Sequence, residues 1–424
     1  MDAAAPSTSS ACSVLAGLAG VRPWQESFYR HLHQNPELSR QEHETARLVA
    51  WRLRSFAYEI HAGIGETGVV GILRNGEGPT VLLRADMDAL PVREATALPY
   101  ASVATAIDAA GVEVPVMHAC GHDIHVTCLL GAAQLLAEGR QFWSGTLIAL
   151  FQPAEETADG ARRMVDDGLF SIVPMPDVAL AQHVLPFPAG RVATRTGPVF
   201  TVGESMRITL HGRGAHGSMP HASVDPVVLA ALIVVRLQTV ISRETQPGET
   251  AVVTVGTIHA GTKSNVIPDT AVLELNIRSY SVETRAVLLN AIRRIVVAEC
   301  QASGAPKDPE FELYDGFPLT QNDAATTGLV AAAFAMFFGP SAEVFTPQTA
   351  SEDFSNIPDV LDVPYTYWGF GGIEPRIYQL AEQQGCVSSN IPVNHSAHFA
   401  PVIQPTLDTG TCALVVAALV WLGH

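Results

Sequence analysis

The chain has 424 residues, 47% hydrophobic and 16% charged, and a formal net charge of −17. That balance belongs to a folded globular protein with a large core, and the length suits two or three domains, or one large domain carrying an insertion. The acidic surface argues against nucleic acid and anionic membrane as partners, since both need basic surface; an anionic substrate would need local positive charge from metal or arginine.

The first dozen residues are rich in Ala and Ser, and Asp2 has the wrong sign for the start of a signal peptide. The six cysteines, Cys12, Cys120, Cys128, Cys300, Cys386 and Cys412, are scattered and do not look like a disulfide framework. The expected location is the cytoplasm. A helical pattern at roughly 41–57 is followed by two short apolar runs, GVVGIL (68–73) and TVLLRA (80–85). A helix is expected at 123–138, then TLIALF (146–151) and VALAQH (178–183) as further strands covered on both faces. This alternation predicts an α/β domain with a mostly parallel sheet.

From 193 to 316 the pattern changes. ESMRITLHG alternates as a half-buried strand, and Asp225 followed by Pro226 is a good helix start. AVVTVGTIHAG and AVLELNIRSY are two more strands, Ser281 caps a second helix, and PEFELYDG is a last strand. The order β-α-β-β-α-β is that of a ferredoxin-like unit. The α/β pattern then resumes with PYTYWGF as a strand and a terminal helix from about 406, in which CALVVAALVWL is apolar but too short to span a membrane. The expected organisation is one discontinuous α/β domain, 1–192 and 317–424, interrupted by an inserted α+β domain, 193–316.

Three strand patterns end in polar chemistry: TVLLRA in Asp86 and Asp88, TLIALF in Glu155 and Glu156, VALAQ in His183. Ligands of open α/β sheets bind beyond the carboxyl ends of strands, so these groups converge for a topological reason. HACGHD (118–123) adds a thiol and two imidazoles just ahead of an apolar helix. Thiolate, imidazole and carboxylate are zinc-type ligands, and Cys120 and His122 are the expected ligands, with His118 and His125 packing or supporting them. Of two adjacent glutamates, one can ligate while the other faces the reacting water as base. In NHSAHFAP (394–401), His395 and His398 compete for one ligand position. GRGAHGSMPH (212–221) is a Gly-rich loop carrying His216 and His221; Asn265 and Arg278 follow in KSNVIPD and NIRSY. An arginine on a strand suits two-pronged capture of a carboxylate. SEDF (351–354) fits either a supporting role or a helix cap.

Together with HLHQNPELSRQEHETA (31–46), these motifs resemble the co-catalytic metallo-amidohydrolases that include aminoacylases, carboxypeptidase G, hippurate hydrolase and the plant indoleacetyl-amino-acid hydrolases. The similarity covers nearly the whole chain. The Cys of HACGHD marks the hippurate hydrolase branch, and within it the chain resembles bacterial N-acyl-glutamine aminoacylases. The resemblance implies a dinuclear metallohydrolase domain with two divalent metal ions per subunit, zinc or manganese, held by Cys120, His122, Glu156, His183 and His395. It implies Glu155 as general base, with Asp86 and Asp88 supporting the ligands. The inserted domain would be a lid that also forms a homodimer, with His216 reaching into the partner's site. Asn265 and Arg278 would contact the substrate, a small N-acyl amino acid. A dipeptidase or exopeptidase using the same site is the alternative, and an inactive metal-binding relative a more distant one.

Overall fold

The computed structural model of the protein describes residues 8–423. They form two compact units. One holds the described residues up to Val199, Gln321–Thr346 and those from Asp353 on; the other holds Phe200–Thr320 and Pro347–Glu352.

The first unit is built on an eight-stranded sheet in the order Glu59–Ile64, Gly68–Asn75, Gly145–Gln152, Thr80–Asp86, Val178–Pro188, Tyr365–Ile373, Val192–Thr194, Ala342–Val344. The four central strands, from Gly145–Gln152 to Tyr365–Ile373, run parallel. Gly68–Asn75 runs antiparallel to Gly145–Gln152. The reason lies in the sequence: residues 76–79 are too few for a crossover, so the strands either side of them must run in opposite directions. Val192–Thr194 is a strand of this sheet, pairing with both Tyr365–Ile373 and Ala342–Val344.

Val81, Leu83 and Ala85 point into one apolar cluster that also takes in Leu129, Leu130, Leu414 and Val415. Their alternates along the strand, Arg84 and Asp86, are buried on the opposite face. The helices His122–Glu138 and Ile403–Leu422 pack on each other and on Thr80–Asp86 and Val178–Pro188. The apolar run at the carboxy terminus is thus part of a 20-residue helix, regular from Thr406 because Gln404 and Pro405 are non-helical. By length and composition alone it could cross a membrane, as could Pro226–Glu244 and Ala324–Ser341. Its apolarity is accounted for by burial, since 78% of its apolar window lies inside the protein. Near the amino terminus, part of the Ala/Ser-rich stretch is helical over Thr8–Leu15, and a long helix follows at Leu18–Gln34.

The second unit has strand order Ala251–Ala260, Thr270–Ser279, Val202–His211, Glu310–Phe317, all neighbours antiparallel. Two helices, Pro226–Thr239 and Val282–Ala302, cover it, capped by the side chains of Asp225 and Ser281. Leu229, Ile233 and Leu237 of one helix, and Leu288, Ile292 and Ile295 of the other, close on Ile208, Leu273 and Leu275 of the strands. The chain order is β-α-β-β-α-β.

Candidate functional site

In the first unit the sheet delivers its polar groups to one place. Thr80–Asp86 ends in Asp86, with Asp88 just beyond, and Gly145–Gln152 leads through Pro153 and Ala154 to Glu155 and Glu156. His183 differs from expectation: the strand does not end there but runs on to Pro188, and His183 sits inside it opposite Gly369. Cys120 and His122 flank Gly121, whose backbone is left-handed (φ 83) and opens the helix His122–Glu138. His395 and Ala154 also take positive φ, 70 and 52. Backbone strain of this kind persists where surrounding structure holds it, often at functional sites.

Five overlapping donor groups result among the described residues, two of them Asp86 with His122 and His125, and Glu155 with Glu352 and Asp353. Cys120, His122 and His183 present ligand atoms within 4.8 Å of one another, as do Cys120, Glu156 and His395, and His122, Glu155 and Glu156. The Cys120 thiol lies 3.5 Å from Nε2 of His183, and His395 Nε2 lies 3.3 Å from Glu156 Oε1. His398, the competitor, joins no such group among the described residues.

The imidazoles are aimed by the bonds on their far nitrogens. His183 donates from Nδ1 to the Val184 carbonyl at 2.7 Å, leaving the Nε2 lone pair toward Cys120. His122 Nδ1 contacts Asp88 Oδ1 at 3.2 Å, leaving Nε2. This far-nitrogen anchoring is the usual arrangement for ligating histidine. Asp88 does more: its Oδ2 accepts from Ser39 at 2.7 Å and from the Glu156 backbone N–H at 2.9 Å. His125 is fully used elsewhere, its Nε2 accepting the Val184 N–H at 2.8 Å and its Nδ1 donating to Asp86 at 2.5 Å. Asp86 is also paired with Arg84 at 2.7 Å. Burial works against its charge, but His122, His125 and Arg84 hold the carboxyl well below the usual range. His118 is buried, and burial pushes its imidazole down to about 4.

The donor set fits a cation. His122 Nε2 is buried with no hydrogen-bond partner, and such an orphaned atom costs roughly 1–3 kcal/mol; buried Glu156 Oε1 has the ion-pair contact with His395. Cys120 and Glu156, outweighing burial, push His395 up to about 11. The cluster therefore draws positive charge toward itself.

Residues that sequence reasoning passed over hold the candidate ligands in place. Asn394 donates to the carbonyls of Cys120 (3.1 Å) and Val184 (3.2 Å), tying the loop of His395 to the other two ligand segments. Buried Glu42 accepts from Thr67 and from the Ala154 N–H at 2.8 Å, bracing the turn before Glu155. Both lie in quoted motifs, but nothing in residue type alone marks an Asn or a Glu as a brace. Asp353 of SEDF accepts from Gln152 (2.5 Å) and from the Ala161 N–H (2.9 Å), and lies 3.5 Å from Arg84.

His216, Asn265 and Arg278 belong to the second unit. The two-residue strand Ala215–His216 pairs with Val266–Ile267, and Gly217 N–H donates to the Asn265 carbonyl at 2.8 Å, so His216 and Asn265 are neighbours. His216 Nδ1 accepts from the Ser218 N–H at 3.2 Å, which leaves the proton on Nε2 as an exposed donor. Arg278 lies near the far end of Thr270–Ser279 from this loop.

Comparison with known proteins agrees with the resemblance read from the motifs. The model of peptidase family M20/M25/M40 matches residues 82–384. Thermostable carboxypeptidase 2 of Saccharolobus solfataricus is 36% identical over 405 residues, covering 94% of this chain and 95% of that protein. Hippurate hydrolase of Campylobacter jejuni is 37% identical, over 81% of this chain and 87% of its own. Among solved structures, the Bacillus subtilis YXEP protein, described as a dinuclear metal-binding peptidase from the M20 family, is similar with a TM-score of 0.75 and 28% identity, covering 95% of this chain and 98% of that one. The chain belongs to peptidase family M20/M25/M40.

Proposed function

We propose that the protein hydrolyses the amide bond of N-acyl amino acids, releasing a carboxylic acid and a free amino acid. The observation that carries this reading is the convergence of Cys120, His122, His183, His395 and two glutamates, with His122 Nε2 buried and without a hydrogen bond. Membership of a hydrolase family whose relatives include a hippurate hydrolase supplies the bond type. Cys120, His122, Glu156, His183 and His395 would hold two divalent ions, zinc or manganese, which when bound supply Lewis acidity to acidify water and polarise a carbonyl.

The remaining work falls to the chain. Glu155 takes the proton of the attacking water and returns it to the leaving nitrogen. Asp88 fixes the His122 ring and the Glu156 backbone. His216 offers its Nε2 proton to the oxygen that gains charge, Asn265 contacts the carbonyl beside it, and Arg278 takes the amino-acid carboxylate.

His216 serves the site of a partner subunit in this reading. Its loop joins the Thr270 end of the strand Thr270–Ser279, while Arg278 stands near the other end. Eight residues of strand span about 27 Å, a gap no small N-acyl amino acid bridges. Two features of the second unit support a homodimer. Among the described residues Ala251–Ala260 is a sheet edge with no strand on its outer side, and Val228, Leu232 and Val235 of the nearby helix Pro226–Thr239 are exposed. Six free thiols suit a cytoplasmic enzyme.

A carboxypeptidase reading has one observation in its favour, the thermostable carboxypeptidase that matches 95% of its own length. Both readings break an amide next to a carboxylate-bearing residue. A panel of N-acyl amino acids and dipeptides, assayed with metal-stripped enzyme after adding back Zn, Mn or Co, separates them. Turnover of N-acyl amino acids only with added metal is expected; metal-independent turnover, or turnover of dipeptides alone, contradicts the proposal.

A further inference from the structure

Arg278 sits half-buried on the strand Thr270–Ser279, opposite Gly203, and no carboxylate pairs with it among the described residues. In a chain of net charge −17 an unpaired half-buried guanidinium is unusual. It is, however, not free to move. Its Nε donates to Asn276 Oδ1 at 2.8 Å, two residues earlier on the same face of the strand. Its Nη1 donates to the Thr349 carbonyl at 3.1 Å and to Ser351 Oγ at 3.0 Å. Ser351 in turn contacts Thr201 Oγ1 at 3.0 Å, and the Thr201 hydroxyl and N–H reach the Ala350 carbonyl. Gly203 makes room for this: a Cβ there would lie 2.5 Å from Ser351 Oγ.

Three of the five guanidinium N–H groups are therefore spoken for, and both remaining ones are on Nη2. The side-on grip of a carboxylate uses Nε with one Nη, and the end-on grip uses both Nη nitrogens. Neither pair is available intact. We infer that Ser351 and Asn276 are positioning residues that lock Arg278 so that it reads the substrate's carboxylate through Nη2 alone. This corrects the two-pronged grip expected from residue type, and gives the Ser of SEDF a role. The inference rests on the reading above that Arg278 receives the carboxylate. A lock matters because an untethered arginine must be ordered at each binding event, at about 0.5–1.5 kcal/mol per immobilised side chain.

The test compares N-benzoylglycine with its primary amide, N-benzoylglycinamide. Ser351→Ala, and separately Gly203→Ala, whose methyl crowds the Ser351 hydroxyl at 2.5 Å but meets Arg278 Nη1 only at an ordinary 3.8 Å, should each raise KM for the acid about two- to tenfold. Each should lower the acid-to-amide ratio of kcat/KM by the same factor. In an Arg278→Ala background the Ser351→Ala effect on the ratio should vanish, because Ser351 acts through the arginine. Equal losses on acid and amide, or an undiminished Ser351 effect without Arg278, overturn the lock. If Arg278→Ala itself leaves the ratio unchanged, the carboxylate reading fails instead. A readout independent of substrate is the guanidinium NMR spectrum of 15N-arginine-labelled enzyme, assigned with Arg278→Lys. Separate Nη signals for Arg278 that merge in Ser351→Ala are expected; one averaged signal in the native protein overturns the lock whatever the substrate.

Discussion

Asp88 holds His122 and, through its other oxygen, the backbone of Glu156: Oδ1 is 3.2 Å from His122 Nδ1, and Oδ2 accepts the Glu156 N–H at 2.9 Å. One carboxylate thereby sets the spacing of two candidate ligands, one opening the helix His122–Glu138 and the other in the loop after the strand Gly145–Gln152. With Ser39 also bound, Asp88 accepts on both oxygens.

Asparagine at position 88 has one accepting oxygen and must turn its NH2 toward one of those partners. Asp88→Asn is expected to weaken metal binding by about 10–100-fold, the usual cost of losing a support behind a ligand. Competition with a chelator measures it; unchanged affinity would show that His122 is oriented by something else.

Gly121 is the second structural demand at the centre. Its φ is +83, and a Cβ would lie 2.4 Å from Val184 Cγ1. Val184 cannot yield easily, since its N–H and carbonyl anchor His125 and His183. Gly121→Ala should lower stability by about 1–3 kcal/mol and release metal. Metal stoichiometry and thermal melting check this; full metal content at native stability would contradict it.

His33 joins the long helix Leu18–Gln34 to the start of the helix His122–Glu138. Both partners are carboxylates, Asp123 at 2.7 Å and Glu94 at 3.2 Å, with all three side chains fully buried. Burial opposes its charge, but the bonds to Asp123 and then Glu94 push it up to about 9. Because the folded value lies above the unfolded one, the stabilisation is full below about pH 6.5 and lost as pH rises through about 9. It amounts to roughly 3 kcal/mol at most. Urea midpoints of metal-loaded enzyme and His33→Met should differ most near pH 6 and converge by about pH 10. A gap that stays constant over that window would mean His33 is uncharged.

The opposed positions of His216 and Arg278 on the second unit lead to a complementation test. His216→Ala and Glu155→Gln homodimers should each be inactive. Mixed and allowed to exchange subunits, they should regain activity, because one site of each mixed dimer then has Glu155 with its ligands from one chain and His216 from the other. No recovery after verified exchange would place His216 in its own chain's site.

Much of this was legible in the sequence. The short apolar runs ending in carboxylates marked the strands of the sheet, and Asp225 and Ser281 marked the helix starts of the second unit. Gly68–Asn75 is an antiparallel exception in the mostly parallel sheet, as the four residues of turn before Thr80–Asp86 require. His183 lies within its strand because the pairing with Tyr365–Ile373 continues beyond it, and no local pattern reports a partner nearly 190 residues away. Asn394 and Glu42 were invisible as braces for the same reason: they act on backbone groups brought close only by the fold. Arg278 showed its charge in the sequence but not its tethers, since Thr349 and Ser351 return to it from some seventy residues on.

The central claim is that Glu155 is the base of a metal-dependent hydrolysis whose ligands are neighbouring residues. Metal content and turnover of an N-acyl amino acid, measured together on Glu155→Gln, test it most directly. Glutamine keeps the shape and cannot take a proton, so metal should be retained while kcat falls by about 10²–10⁴-fold. Near-native kcat with full metal content would contradict the account.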